Sequence, residues 1–95
     1  MIVEDWVCIP RPGADWQSQA KQLHQVLKRL GIIYRVYTEE SGLVSRVHSF
    51  LEFSSLAERE KFWSKPPGDV TAITGRNPDY WDLATLEHHY YNVFI

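Results

Sequence analysis

One helical stripe set between two strand-forming segments limits what this chain can become. Trp16, Ala20, Leu23, Leu27 and Leu30 recur at alternating steps of four and three, which puts them on one face of an α-helix. Gln17, Lys21, Gln25 and Lys28 fall largely outside that stripe. Asp15 is a fitting N-cap, Lys28 and Arg29 suit the negative end of the helix dipole, and Gly31 supplies the residue after the C-cap. Before the helix, Ile2 to Ile9 is rich in strand formers and is stopped by Pro10, Pro12 and Gly13. After it, Ile32 to Thr38 reads as a second strand.

The remaining segments complete one pattern. Glu39-Glu40-Ser41-Gly42 is a polar hairpin turn. The third strand, Leu43 to Phe53, alternates: Val47, Leu51 and Phe53 share a face with Ser45 and Ser49, and Arg46, His48, Phe50 and Glu52 share the other. Ser55 and Glu58 form a capping box for a helix over Leu56 to Ser64, which brings Phe62 and Trp63 to the sheet before Pro66-Pro67-Gly68 ends it. Val70 to Asp82 has no clear period, though Pro78 to Asp82 fits a short helical turn, and Leu86 to Ile95 closes as a strand. The order β-α-β-β-α-β, with right-handed crossovers, predicts a single α+β domain over residues 1–95. Its architecture is a ferredoxin-like sandwich, a four-stranded antiparallel sheet with two helices on one face.

Composition narrows the function. Apolar residues at 44% and charged residues at 23% exclude disorder and a coiled coil. Glu4 and Asp5 interrupt the first apolar stretch, so neither a secretory signal nor a membrane span is expected. A lone cysteine, Cys8, fits a reducing, cytoplasmic setting. A net charge of −2 offers no general attraction to nucleic acid or to a membrane. The aromatic share, 14% with four Trp and five Tyr, is more than one small interior readily absorbs. Those rings are expected in a pocket or a subunit interface.

The sheet face without helices is the place for them. It should carry Arg46, His48, Phe50 and Glu52, with Ile33, Arg35 and Tyr37 from strand two and Glu4, Trp6 and Cys8 from strand one. The last strand adds either Leu86, His88, Tyr90 and Phe94 or Glu87, His89, Tyr91 and Val93. A face so rich in rings needs covering. A homodimer with sheets facing is expected, with Trp6, Phe50 and Glu52 at the interface.

The stretch Ser54-Ser55-Leu56-Ala57-Glu58-Arg59-Glu60-Lys61-Phe62-Trp63, followed by Asn77-Pro78-Asp79-Tyr80-Trp81, resembles the dimeric α/β-barrel superfamily, in its NIPSNAP-like and antibiotic-biosynthesis-monooxygenase-like branches. The resemblance covers the whole chain as topology and these two stretches as sequence. It implies a homodimer whose sheets pack face to face, with a cleft between sheet and helices. Members include cofactor-independent oxygenases, haem-degrading enzymes, small-acid isomerases and proteins of no known activity. The expected function is binding of a small organic molecule in an aromatic cleft, with cofactor-independent monooxygenation or isomerisation as its catalytic form. A non-catalytic binding or regulatory dimer is the alternative.

For catalysis, His48 is the candidate base, since imidazole is suited to proton transfer near neutrality; the competing role is an interface histidine bonded to Glu52 or Arg35. Arg35, Tyr37, Arg46, Phe50, Trp63, His88 and Tyr90 are the candidate ligand contacts, with Arg46 or Arg35 holding an acidic group. The competing role for the charged residues is ion pairing across the sheet. No metal is expected, because His88 and His89 point to opposite faces and no ligand spacing converges. No cofactor is expected either. Cys8 is read as buried filler. Arg46-Val47-His48-Ser49-Phe50-Leu51-Glu52-Phe53 also resembles the third-strand signature of the RNA-recognition motif. Val47 and Ser49 replace its glycines and His48 its first stacking aromatic, which argues against RNA as a partner.

Overall fold

The computed structural model describes residues 1–42 and 45–95. Its elements are β1 (Ile2–Pro10), α1 (Trp16–Arg29), β2 (Ile33–Thr38), β3 (Val47–Phe53), α2 (Leu56–Ser64), α3 (Gly68–Thr74), α4 (Asn77–Tyr80) and β4 (Trp81–Asn92). The four strands form one sheet in the order β2-β3-β1-β4, and every neighbouring pair is antiparallel. The expected architecture is present.

Local chemistry explains the ends of α1. The Asp15 side chain accepts from the backbone N–H of Ser18. At the other end Gly31 has φ 76°, a left-handed conformation that costs glycine little. It lets Gly31 N–H bond the Lys28 carbonyl and Ile32 N–H bond the Leu27 carbonyl, the paired closure of a Schellman cap. At α2, Ser55 caps the N–H of Glu58 as the capping box predicts.

The core lies between sheet and helices. Leu27 and Val26 from α1, Tyr34 from β2, Leu51 and Phe53 from β3 and Val70 from α3 form one buried cluster, with Trp6, Leu23, Phe62, Trp63 and Ile73 packed against it. The helix stripe is turned from its predicted setting. Leu30 is 45% exposed, while Gln19 is buried. The cause is the stretch after α2, which the sequence pattern left undefined. It folds as α3 and α4, and α3 lies along α1, covering the side that carries Gln19.

Several boundaries also differ from expectation. β3 starts at Val47, so Ser45 and Arg46 precede it, and Leu43 and Val44 lie outside the described residues. β4 begins five residues early, at Trp81, and ends at Asn92. Register corrects one face assignment. Glu4 pairs with Leu51, Trp6 with Ser49 and Cys8 with Val47, and opposed residues share a side of the sheet. Glu4, Trp6 and Cys8 therefore face the helices. Trp6 is not on the open face, so the expectation that it belongs to a sheet-to-sheet interface is overturned. On β4, His88 opposes Trp6 and Tyr90 opposes Glu4, which places them on the helix side too. Glu87, His89 and Tyr91 take the open face.

Leu27 within α1 and Leu30 at its C-cap separate core from rim. Leu27→Ala is expected to cost about 2–5 kcal/mol by urea denaturation, as a cavity-forming change does. Leu30→Ala should cost under about 0.5 kcal/mol, the usual size for an exposed position.

Candidate functional site

Between sheet and helices lies a cavity of about 220 Å³. Leu23, Leu27, Val47, Leu51, Val70, Leu83 and Leu86 give it aliphatic walls, and Trp6, Trp63, Trp81 and Tyr34 give it aromatic ones. Its polar lining is Cys8, Gln19, Ser49, Thr74 and Asn77. Among the described residues that line it, none carries a charge and none is a histidine.

Its polar groups are largely fixed by one another. The Gln19 amide nitrogen donates to Asn77 Oδ1 at 2.7 Å and to the Ile73 carbonyl at 3.2 Å, while its oxygen accepts from Trp81 Nε1 at 2.7 Å. One glutamine thus ties α1 to α3, α4 and β4. Cys8 Sγ donates to the Asp82 carbonyl at 3.2 Å, where the β1–β4 register shifts between Val7 and Ile9. Burial pushes the Tyr34 hydroxyl up from its ordinary value, partly offset by its hydrogen bond with Ser49. It therefore stays a neutral phenol in the cavity wall.

A second cluster adjoins the cavity behind Trp6 and Trp63. Glu4 is wholly buried. Its Oε2 accepts from Arg59 Nε at 2.7 Å and Nη2 at 2.6 Å, and lies 2.7 Å from His88 Nε2. Its Oε1 accepts from Trp63 Nε1 at 2.7 Å. His88 stacks on Trp6 with ring centroids 3.6 Å apart and planes at 11°, and Trp63 meets Trp6 edge-on. The Arg59 guanidinium lies 4.3 Å from the centre of the Tyr90 ring. A buried carboxylate is tolerable only with such partners.

The open face holds a third cluster. His48 Nδ1 lies 3.1 Å from Asp5 Oδ2, and its Nε2 lies 3.2 Å from Glu39 Oε2. Both partners differ from the expected Glu52 and Arg35. Only a ring carrying both protons donates to both carboxylates. Arg46 bonds Glu39 and reaches Glu87 at 2.8 Å. The Arg46 guanidinium holds the Glu39 carboxyl below its ordinary value, with His48 adding to it and desolvation opposing. Asp5 Oδ1 is buried without a hydrogen-bond partner among the described residues.

The predicted site residues therefore divide between two faces. Arg35, Tyr37, Arg46, His48, Phe50 and Glu52 stand on or beside the open face, whereas Trp63, His88 and Tyr90 stand on the helix side. Of the candidate ligand contacts only Trp63 lines the cavity; Arg35, Arg46 and His48 do not. Sequence reasoning missed Gln19, Tyr34 and Asn77 as lining, and Arg59 as the partner of Glu4. Glu4 itself left a signal, an acid inside a strand of Ile, Val and Trp. Among the described residues no three His, Cys, Asp or Glu side chains gather as a metal site, and no helix is long and apolar enough to cross a membrane.

Comparison with known structures fixes the fold. An uncharacterised NIPSNAP domain protein from Burkholderia xenovorans superposes with TM-score 0.64 and 19% identity, over 98% of this chain and 94% of that one. A dimeric protein of unknown function and ferredoxin-like fold from Bacteroides fragilis gives 0.62 and 12%, over 97% and 96%. The chain has the ferredoxin-like fold. A structure described as a candidate antibiotic biosynthesis monooxygenase from Deinococcus radiodurans gives 0.58 and 15%, over 100% and 94%. These likenesses bear out the resemblance at the level of fold. No family model and no curated protein matches the chain.

Two expectations follow from the clusters. Arg59→Ala strands a buried carboxylate and should cost about 3–5 kcal/mol by urea denaturation. Glu39 has its folded value below its unfolded one, so its stabilisation is complete above the unfolded value and is lost as pH falls through the folded value. Removing the main donor with Arg46→Ala should lower the urea midpoint near neutrality. The gap to wild type should narrow as the pH falls through the carboxylate range; a constant gap would refute the assignment.

Proposed function

We propose that this protein is a homodimer that binds a compact, neutral, largely apolar organic molecule in the helix–sheet cavity. The observation that carries the reading is the cavity's lining, aromatic and aliphatic walls with a few uncharged polar groups. Such a lining is the usual composition of small-molecule sites. On the scale of an apolar cavity of about 150 Å³ that takes one benzene, this one, at about 220 Å³, takes about nine non-hydrogen atoms. An acid held by Arg35 or Arg46 is not favoured, because neither guanidinium reaches the cavity.

Dimerisation is supported by the open face. Tyr37, Phe50 and Tyr91 stand there, with Tyr37 and Phe50 in edge-on contact at 5.4 Å. A second copy would cover these rings, and one structural neighbour is described as dimeric. Asp5, Glu39, Glu52 and Glu87 make the same face a poor match for RNA phosphates.

The likeness to the candidate antibiotic biosynthesis monooxygenase suggests a catalytic form of this binding, oxygenation or isomerisation without a cofactor. His48 is a poor base for it, since both ring nitrogens are occupied by carboxylates and it stands on the open face, across the sheet from the cavity. A non-catalytic binding protein fits the cavity equally.

Two measurements test the proposal. Light scattering should give twice the monomer mass at micromolar concentration, and Phe50→Glu should halve it. Titration with p-cresol, followed by the indole N–H signals of Trp63 and Trp81, should saturate with a Kd on the order of 0.1–1 mM, from about 0.5–0.7 kcal/mol per non-hydrogen atom. The anion p-toluate should bind far more weakly. A monomeric wild type would remove the dimer, and equal binding of p-toluate would remove the neutral-ligand reading.

A further inference from the structure

His88 has the surroundings of a proton-transfer group, and the cavity lining by itself does not reveal it. Two Arg59 donors share Glu4 Oε2 with His88 Nε2, so Glu4 acts there as acceptor and His88 Nε2 carries the proton. In the neutral ring Nδ1 is then the basic nitrogen. Among the described residues no group hydrogen-bonds Nδ1, and a quarter of the side chain is exposed. Stacking on Trp6 at 3.6 Å holds the ring plane. A buried carboxylate that fixes one imidazole nitrogen and leaves the other free is the orienting arrangement of general-base histidines. His48, with a carboxylate on each nitrogen, lacks it.

The dyad also borders the cavity. Trp6, on which His88 stacks, Trp63, which shares Glu4 with it, and Leu86, two residues before it on β4, all line that space.

The geometry points to Glu4 and His88 as a proton-transfer dyad at the edge of the cavity, acting on a neutral aromatic ligand with an acidic C–H or O–H. This rests on the reading of the cavity as a ligand site. His88 Nδ1 takes the ligand proton, the bonding pair stays on the ligand, and the imidazolium keeps its Nε2–H on Glu4. Return of the proton to a different ligand atom completes an isomerisation without oxidant or reductant. His88 is the catalytic residue, and Glu4 positions it.

The probe is 1,2-benzisoxazole, a neutral flat molecule of the size the cavity admits. A base removes its ring C–H proton, the bonding pair completes the nitrile, and the N–O bond breaks to leave 2-cyanophenolate, which is followed by absorbance. Wild type should turn it over saturably, about 10²-fold or more faster than free imidazole at equal concentration. His88→Gln should abolish that excess while still binding p-cresol, and His24→Gln, on the exposed side of α1, should keep it. In the wild type, ¹⁵N NMR should find the His88 proton on Nε2, and the rate should follow the neutral fraction of His88 in the same sample.

Elimination no faster than free imidazole while p-cresol binds would overturn the dyad alone. So would a folded His88→Gln variant with undiminished rate, or a proton found on Nδ1. If His88→Gln does not fold, the tautomer and the pH profile of the wild type decide. Failure of both p-cresol binding and elimination would overturn the cavity reading together with the dyad.

Discussion

Glu4 has no exposed surface, and the donors that hold it come from α2 and from β4. Arg59 and Trp63 reach it from one helix, and His88 from the neighbouring strand. An isolated carboxylate at that depth would cost far more than the stability of a small domain. With its partners it becomes a joint. α2 is placed against the sheet by a charge pair and an indole N–H, in addition to the apolar contacts of Phe62. The same bonds set the positions of Trp6, Trp63 and His88, so the aromatic end of the cavity and the proposed base depend on one buried acid.

Gln19 plays the corresponding part at the other end. Its amide is saturated by Asn77, Ile73 and Trp81, which fastens the α3–α4 segment to α1 and closes the cavity there. Both joints are polar groups satisfied inside an apolar layer. Satisfied networks of that kind fix one arrangement of elements, because every alternative leaves a buried group unpaired. The cavity between them keeps its volume while its walls are pinned from both ends. That suits a site that must be formed before a ligand arrives.

The open face follows a different logic. Its charged residues make a network of Arg46, Glu39, Glu87, His48 and Asp5, and its rings gather around the edge-on pair Tyr37 and Phe50. The two sides of the sheet thus divide the chain's aromatics, with Trp6, Trp63, Trp81 and Tyr34 walling the helix–sheet cavity and Tyr37, Phe50 and Tyr91 on the open face, where the proposed second copy would sit. Cys8, part of the cavity lining, is held by the Asp82 carbonyl at the β1–β4 irregularity.

How much of this was legible in the chain depended on range. Asp15, Gly31 and the Ser55–Glu58 box are local signals, and each sits where its spacing predicted; the α1 stripe marks a helix correctly, but the helix is turned so that Leu30 is exposed and Gln19 is buried. The alternation in β3 likewise sorted Val47, Leu51 and Phe53 from His48, Phe50 and Glu52, because a strand's period acts within the strand. The face of β1 was not legible, since Glu4, Trp6 and Cys8 alternate equally well either way, and the choice lay with Arg59, fifty-five residues distant. Nor was the proposed base: His48 and His88 are both histidines in strands, and only the fold gives one of them two carboxylates and the other a single buried one. The sequence by itself determined the order and nature of the elements, hence the ferredoxin-like fold, through short-range periodicity and capping. Only the tertiary structure decided which side of the sheet each polar group serves, because burying a charge depends on partners that the fold brings from far along the chain.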